Sequence, residues 1–252
     1  MKIDGDLSEI LGIHIRDGCI SRTKRYAEYY LGGDITEERD YHDQWVGPLF
    51  NKKIMLPLFN KKVTYKAHPK VGIYGFHIFD EKLVKFFEKL GIKSGSKINV
   101  QVPKEIMQNK LIHKRFLRGL FDTDGTIYFN RNIALKNYTH NRPVIKLGTV
   151  SELLAKDVIV MLGALGMHPR MKKPYQGKRD KNPVYSVVIY RIADIRYFMS
   201  EIGFKNFKHS TKWQLYEKFG FCPPRTKLQQ RRELLSKTNI FNSSLQERIT
   251  RG

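Results

Sequence analysis

Acidic residues are scarce in this chain: 24 Asp and Glu stand against 46 Lys and Arg, a formal net charge of +22 over 252 residues. Cysteine is scarcer still. Cys19 and Cys222 are the whole complement, too few for a disulfide framework, so the expectation is two reduced thiols in an intracellular protein. Long hydrophobic runs are absent. The longest, residues 158–165, is under half of the roughly 18 residues that span a bilayer. Asp4, Asp6 and Glu9 interrupt any apolar stretch near Met1, which argues against a secretory signal. Glycine (19) and proline (10) are ordinary in number, excluding a collagen-like or low-complexity chain. With 41% hydrophobic and 12% aromatic residues, this is not a disordered basic tail either.

A surplus of 22 positive charges speaks to partners, not to fold. A membrane-surface protein would concentrate it in one basic amphipathic helix, and no segment reads that way. Nucleic acid is the better match, because each phosphate neutralised releases counterions and adds affinity.

The chain contains an internal duplication. Ile10-Leu11-Gly12-Ile13-His14-Ile15-Arg16-Asp17-Gly18 is echoed by Leu117-Arg118-Gly119-Leu120-Phe121-Asp122-Thr123-Asp124-Gly125, with the aligned aspartates 107 residues apart. A second echo pairs residues 86–93 with 198–205, at a spacing of 112. Hydrophobic periodicity and capping residues agree with a repeated unit. A helix over 7–16 is followed by two short strands around Thr23-Lys24-Arg25. Next comes a helix over 36–52 capped by Thr36, then a strand pair over 63–78 broken at Pro69, then a helix from Asp80 that stops at Gly91. The second half follows the same order: a helix over 113–124, strands to Val150, a helix from Ser151 that stops at Gly166, strands around Arg170 and Tyr185, and a helix to Ile202. The expected fold is α+β, two pseudo-symmetric αββαββα repeats over 1–94 and 110–222. A linker joins them over 95–109. A tail over 223–252 carries seven basic and two acidic residues. It has one helical patch near 228–235; the readings are a phosphate-contacting extension or a disordered tail, and disorder is the expectation.

Each repeat opens with a helix ending Asp-Gly. That pair is a common stop signal, but here it recurs at the same place in both copies. A carboxylate at a helix C-terminus also faces the negative end of the dipole, at a cost of about 0.3–1 kcal/mol. Two such groups meeting at a two-fold cost more unless a divalent cation lies between them. Gly12 and Gly119, each followed by its aspartate five residues on, would let the two helices approach closely. These features point to a helix pair that delivers Asp17 and Asp124 to one central metal site. Asp122 has Ile15 as its counterpart and reads either as a support behind the metal-binding acids or as structural. His14, inside the first motif helix, reads as a packed histidine.

The second motif matches six of nine letters of LAGLIDADG; the first matches Gly12, Asp17 and Gly18. Up to about Phe221 the chain resembles the single-chain, two-repeat LAGLIDADG homing endonucleases, particularly the archaeal intron-encoded kind. The resemblance implies two four-stranded antiparallel saddles, packed through the motif helices along the major groove of a long asymmetric DNA target. It implies a monomer, with Mg²⁺ (Mn²⁺ substituting) held by Asp17, Asp124 and the main-chain oxygens of Arg16 and Thr123. It implies hydrolysis of one phosphodiester per strand, leaving 3′ overhangs. Catalytic lysines are expected after the last helix of each half. Lys97 fits in the first; Lys212 fits in the second, with Lys208 as the competing alignment. The family also places a polar residue at the end of each second strand, where Asp34 and Thr149 are nearest. The same fold serves RNA maturases acting on a host intron and catalytically silent DNA-binding regulators. Two retained carboxylates on a phosphate-bearing surface, where they repel the ligand, argue against the silent reading.

Groove contacts are expected from basic residues on the strands, with period two setting which of them face DNA. Candidates are Arg22, Lys24, Lys62 and Lys66 in the first repeat. In the second they are Arg131, Lys136, Lys146, Arg170, Lys172 and Lys178. Other chemistry is not supported. Residues 91–97 lack the Gly-Lys-Ser/Thr ending of a phosphate loop, neither cysteine has zinc-ligand spacing, and Met1 does not suit a complete self-splicing element.

Overall fold

In a computed structural model of the chain, the structure describes residues 2–131, 140–178 and 180–237. The first repeat begins with α1 (Gly5–Asp17), which the Asp4 side chain caps by accepting the Leu7 N–H at 2.9 Å. Leu7, Ile10, Leu11 and Ile13 of α1 are fully enclosed. Strands β1 (Gly18–Arg22), β2 (Ala27–Asp34), β3 (Lys66–His68) and β4 (Ile73–Phe79) form one antiparallel sheet in the order β1-β2-β4-β3.

Between β2 and β3 the chain is helical over 39–59, as α2 (Arg39–Tyr41), α3 (Gly47–Phe50) and α4 (Leu56–Phe59) joined by two π-helical turns. This differs from the expected 36–52. Asp34 Oδ1 accepts the N–H groups of both Thr36 and Glu37 at 2.8 Å, so a side-chain-stabilised turn delays the start and Thr36 caps nothing. Pro48 and Pro57 sit in the first turns of α3 and α4. The wider π turns absorb the hydrogen bonds that proline cannot donate, so the segment continues to Phe59. Helix α5 (Glu81–Lys89) starts at its Asp80 cap, and Gly91 follows it at φ +89°.

The linker region holds α6 (Lys104–Gln108) and touches both repeats. Glu105 accepts the Ile3 N–H at 2.7 Å, and the Val102 N–H donates to Asp157 at 3.0 Å. The second repeat comprises α7 (His113–Thr123), β5 (Gly125–Arg131), β6 (His140–Thr149), α8 (Glu152–Ala164), β7 (Arg170–Tyr175), β8 (Val184–Ile189) and α9 (Ile192–Glu201). Its sheet has the matching order β5-β6-β8-β7. Helix α10 (Phe207–Phe219) then packs against α11 (Leu228–Ser236).

Helix α11 corrects the expectation of a disordered tail, at least to residue 237. Its Arg231 is 1% exposed and donates to the Thr211 hydroxyl at 2.9 Å, the Thr226 carbonyl, the Lys208 carbonyl at 3.2 Å and Glu37 at 3.3 Å. The apolar core runs without interruption from Ile3 and Leu7 through Phe116, Leu120 and Phe121 to Leu215, so the repeats share one core. Among the described residues no helix is long and apolar enough to cross a membrane.

Candidate active site

Helices α1 and α7 cross at Gly12 and Gly119. A Cβ on Gly12 would lie 2.3 Å from the Phe116 carbonyl oxygen, and one on Gly119 would lie 2.2 Å from the Glu9 carbonyl oxygen. Both values are far inside van der Waals contact, so only glycine permits this backbone-to-backbone packing. The contact brings the two helix C-termini, and with them Asp17 and Asp124, to the seam between the sheets.

Both carboxyl groups are held well above the ordinary range. Burial pushes Asp17 up to about 8, with the neighbouring carboxylates of Glu38 and Asp124 adding to it and the cations of Lys208 and Arg16 opposing it. Burial likewise raises Asp124 to about 6, opposed by Arg16, Lys97 and Lys208. Asp17 Oδ2 is enclosed and has no hydrogen-bond partner. Asp124 Oδ1 instead lies 3.1 Å from Arg16 Nε. The site is therefore an acid pair ringed by cations, with one oxygen left over.

Lys97 reaches the expected place. Its ammonium donates to the main-chain carbonyl of Arg16 and, at 2.8 Å, to that of Gly18, and it acts on Asp124. Arg16, Lys97, Asp124 and Thr149 line a cavity of about 220 Å³. The Thr123 side chain turns inward and donates from Oγ1 to the Gly119 and Leu120 carbonyls.

Lys212 is a correction. It lies on α10 and donates to the Ile127 carbonyl at 3.3 Å. The charges acting on it are those of Arg231, Cys222, Glu37 and Lys208, not those of the two acids. Lys208 occupies the place instead, acting on both Asp17 and Asp124. Glu38 holds it in an ion pair. Glu38 also accepts the Asp34 N–H at 2.8 Å and an Asn206 side-chain N–H at 2.8 Å. Asp122, fully buried, accepts the Lys205 and Asn206 N–H groups at 2.9 and 3.0 Å. It thus fixes the turn that carries Lys208, a structural role.

Sequence reasoning missed Glu38 and Asn206. Asn206 carried a signal, an Asn immediately before a helix, and its side chain does accept the Lys208 N–H at 3.1 Å. It missed as well the buried Glu9, which receives Arg115 at 2.7 Å from the other repeat and the Trp45 indole N–H at 2.6 Å. His14 is packed, as read: its ring stacks on Phe87 and lies 3.2 Å from the Tyr29 hydroxyl.

The basic candidates divide by sheet face. Thr126 pairs with Lys146, which pairs with Val188, which pairs with Arg170, and Lys172 pairs with Ser186. Lys146, Arg170 and Lys172 thus share the face opposite the apolar residues Ile127, Ile145, Leu147 and Val187. Lys66 lies on the corresponding face of the first sheet, through its pairing with Gly75. Arg22 is a correction. It sits opposite the buried Ala27, on the helix side, where Glu81 and Glu88 of α5 bind its guanidinium at 2.6 and 2.9 Å. Lys24, Lys62 and Lys178 are exposed in connecting segments. Arg131 falls at a register shift at the end of β5. Lys136 lies outside the described residues.

Comparison with known proteins agrees with this geometry. Residues 112–203 match the profile of the LAGLIDADG-like domain. Variants of the homing endonuclease I-DmoI superpose with a TM-score of 0.55 at 18% identity, over 79% of this chain and 95% of theirs. The meganuclease I-SmaMI bound to uncleaveable DNA superposes with a TM-score of 0.53 at 13% identity, over 92% of this chain and 98% of its own. By sequence, the replicative DNA helicase DnaB of Synechocystis is 29% identical over 198 residues, covering 77% of this chain and 21% of that protein. The replication factor C small subunit of Methanocaldococcus jannaschii is 28% identical over 128 residues, covering 51% of this chain and 6% of that protein. The chain thus spans about a fifth or less of these curated relatives. The fold is the α+β, two-repeat architecture of the single-chain homing endonucleases. The family profile lies over the second repeat, residues 112–203, which is a LAGLIDADG-like domain.

Proposed function

We propose that this protein is a site-specific, metal-dependent DNA endonuclease that cuts one phosphodiester on each strand of a long asymmetric duplex. One observation carries the reading above the others. Two carboxyl groups are buried side by side at the seam of two sheets, and one of their oxygens is enclosed without a partner. Without a ligand that arrangement only costs stability; a divalent cation turns the cost into a binding site.

The donors fit a hard divalent cation such as Mg²⁺ or Mn²⁺. Asp17 and Asp124 would hold it, with the Arg16 and Thr123 carbonyls in support. Among the described residues no three His, Cys, Asp or Glu side chains are placed to hold one ion together. The remaining positions therefore fall to main chain, water and phosphate oxygens, the usual arrangement for Mg²⁺. When bound, the metal supplies a nucleophilic water and charge neutralisation at the phosphate.

The chain's own groups do the rest. Lys97 and Lys208 lie near the acid pair as cations for phosphate oxygens, and Arg16 orients Asp124 Oδ1. The second sheet carries Arg142, Lys146, Arg170 and Lys172 toward the duplex. One chain supplies both halves of the seam, so it acts as a monomer on a target that need not be palindromic. In-line attack on one phosphodiester of each strand, staggered across the minor groove, leaves 3′ overhangs.

The test is a cleavage screen on a large duplex library, with Mg²⁺ and separately with EDTA, capturing and sequencing new ends. Metal-dependent ends at one long motif with 3′ overhangs are expected. Specific retention of duplex without any ends would instead favour the silent regulator.

A further inference from the structure

The two sheets share an order, but their open faces do not share a chemistry. In the second repeat, strand pairing places Arg142, Lys146, Arg170 and Lys172 on the open face, with Thr126, Tyr128 and Asn130 between them. No acid from these strands joins them. In the first repeat the same construction places Cys19, Glu28, Tyr30, His77 and Phe79 there, with Lys66 the cation among them. Glu28 offsets it and lies 2.6 Å from His77 Nδ1.

Rings occur on both faces, with Tyr175 71% exposed on the second, but on the first they form a contiguous ladder. Tyr30 packs on His77 at 4.6 Å between centroids, His77 stacks parallel to Phe79 at 6.5 Å, and Phe79 meets Tyr26 edge-on at 6.0 Å. Phe79 is 67% exposed and Tyr26 47%, though burying them would be worth about 1.5 kcal/mol or more apiece. The ladder begins beside the acid pair, where the Asp17 charge acts on Tyr30. It runs outward along the face that corresponds to the one the cations occupy in the second repeat.

We propose that the protein holds the two halves of its duplex by different chemistry. The second sheet holds its half through phosphate and base contacts of its four cations. The first reads its half by laying the Tyr30–His77–Phe79–Tyr26 ladder against base edges, with thymine C5-methyl groups as the apolar partner. This rests on the DNA-binding reading above and deepens it. Both open faces border the acid pair, the first through Tyr30 and the second through Gly148 and Val184 in the cavity with Asp124, and this names DNA as the occupant. The near-neutral first face would add little counterion release, and the cationic second face would dominate the salt dependence.

The full chain is first used in EDTA to select a duplex from a random-sequence pool. Binding of that duplex by wild type, Phe79→Ala and Lys146→Ala is then followed across a salt series. Lys146→Ala should weaken binding and flatten the log–log salt slope by about one unit. Phe79→Ala should weaken binding about tenfold with the slope unchanged, relaxing base preference in one half only. Replacing thymine by deoxyuridine in that half should cost wild type a similar factor and Phe79→Ala nothing further. Phe79→Ala binding like wild type, a flattened slope in that variant, or indifference to deoxyuridine would overturn the proposal while leaving DNA binding intact. Failure of wild type to retain any duplex would remove both readings together.

Discussion

Asp17 and Asp124 are carboxyl groups kept where burial opposes their charge. That they meet was legible because each closes a helix with Asp-Gly at the same point of a repeated unit. The lysine partners were only half legible. Lys97 follows α5 closely, and its loop leads straight back to the Gly18 carbonyl. In the second repeat, spacing left Lys208 and Lys212 as rivals. The choice turns on Glu38, a residue 170 positions away whose ion pair with Lys208 no local pattern shows. Arg22 failed for a related reason: alternation says which strand residues share a face but not which face is open. Glu81 and Glu88, on a helix far along the chain, decide that. At this scale the expected result is that Lys97→Met and Lys208→Met each slow single-turnover cleavage at least about a hundredfold, while Lys212→Met cleaves near the wild-type rate. A slow Lys212→Met beside an active Lys208→Met would return the role to Lys212.

Among the elements, the motif helices were the most legible and the helical stretch over 39–59 the least. Gly12 and Gly119 announced a close crossing. The Cβ positions of 2.3 and 2.2 Å from opposing carbonyl oxygens show how close it is. The expected helix over 36–52 runs through Pro48 and ends short of Pro57, and the π turns that carry the segment past both prolines have no sequence signature. Gly119→Ala is expected to cost about 3 kcal/mol or more, at the upper end of overpacking effects because backbone must move. Gly163→Ala is the control. It lies in α8 with nothing within 4 Å of its Cβ position and should gain about 0.5–1 kcal/mol. Urea midpoints measure both; equal small effects would mean that the helices are not packed through Gly119.

On the scale of the whole molecule, two polar connections across the repeats stand out, one on each side of the crossing. Glu9 of the first repeat meets Arg115 and Arg118 of the second. On the other side Glu37, Glu38 and Asp40 meet Arg231, Lys208 and Arg232, so α11 straps the second repeat to the first. None of this was legible beyond the helical patch near 228–235, since a buried arginine is indistinguishable in sequence from a solvated one. Arg231→Met should cost about 2–3 kcal/mol. That is below the ~3–5 kcal/mol of a fully buried broken pair, because Glu37 keeps 33% of its side chain in water. A thermal midpoint unchanged from wild type would show that the strap carries no load.

The central claim, that the paired acids of the seam perform hydrolysis on bound DNA and do not build the fold, is tested most directly by Asp17→Asn and Asp124→Asn. Each would be assayed for cleavage and for binding on the duplex that wild type selects, with Mg²⁺ present and absent. The account predicts that both variants lose cleavage of both strands, bind the duplex as well as wild type or tighter, and melt no lower than wild type. Cleavage surviving in either variant, or loss of binding in both, would contradict it.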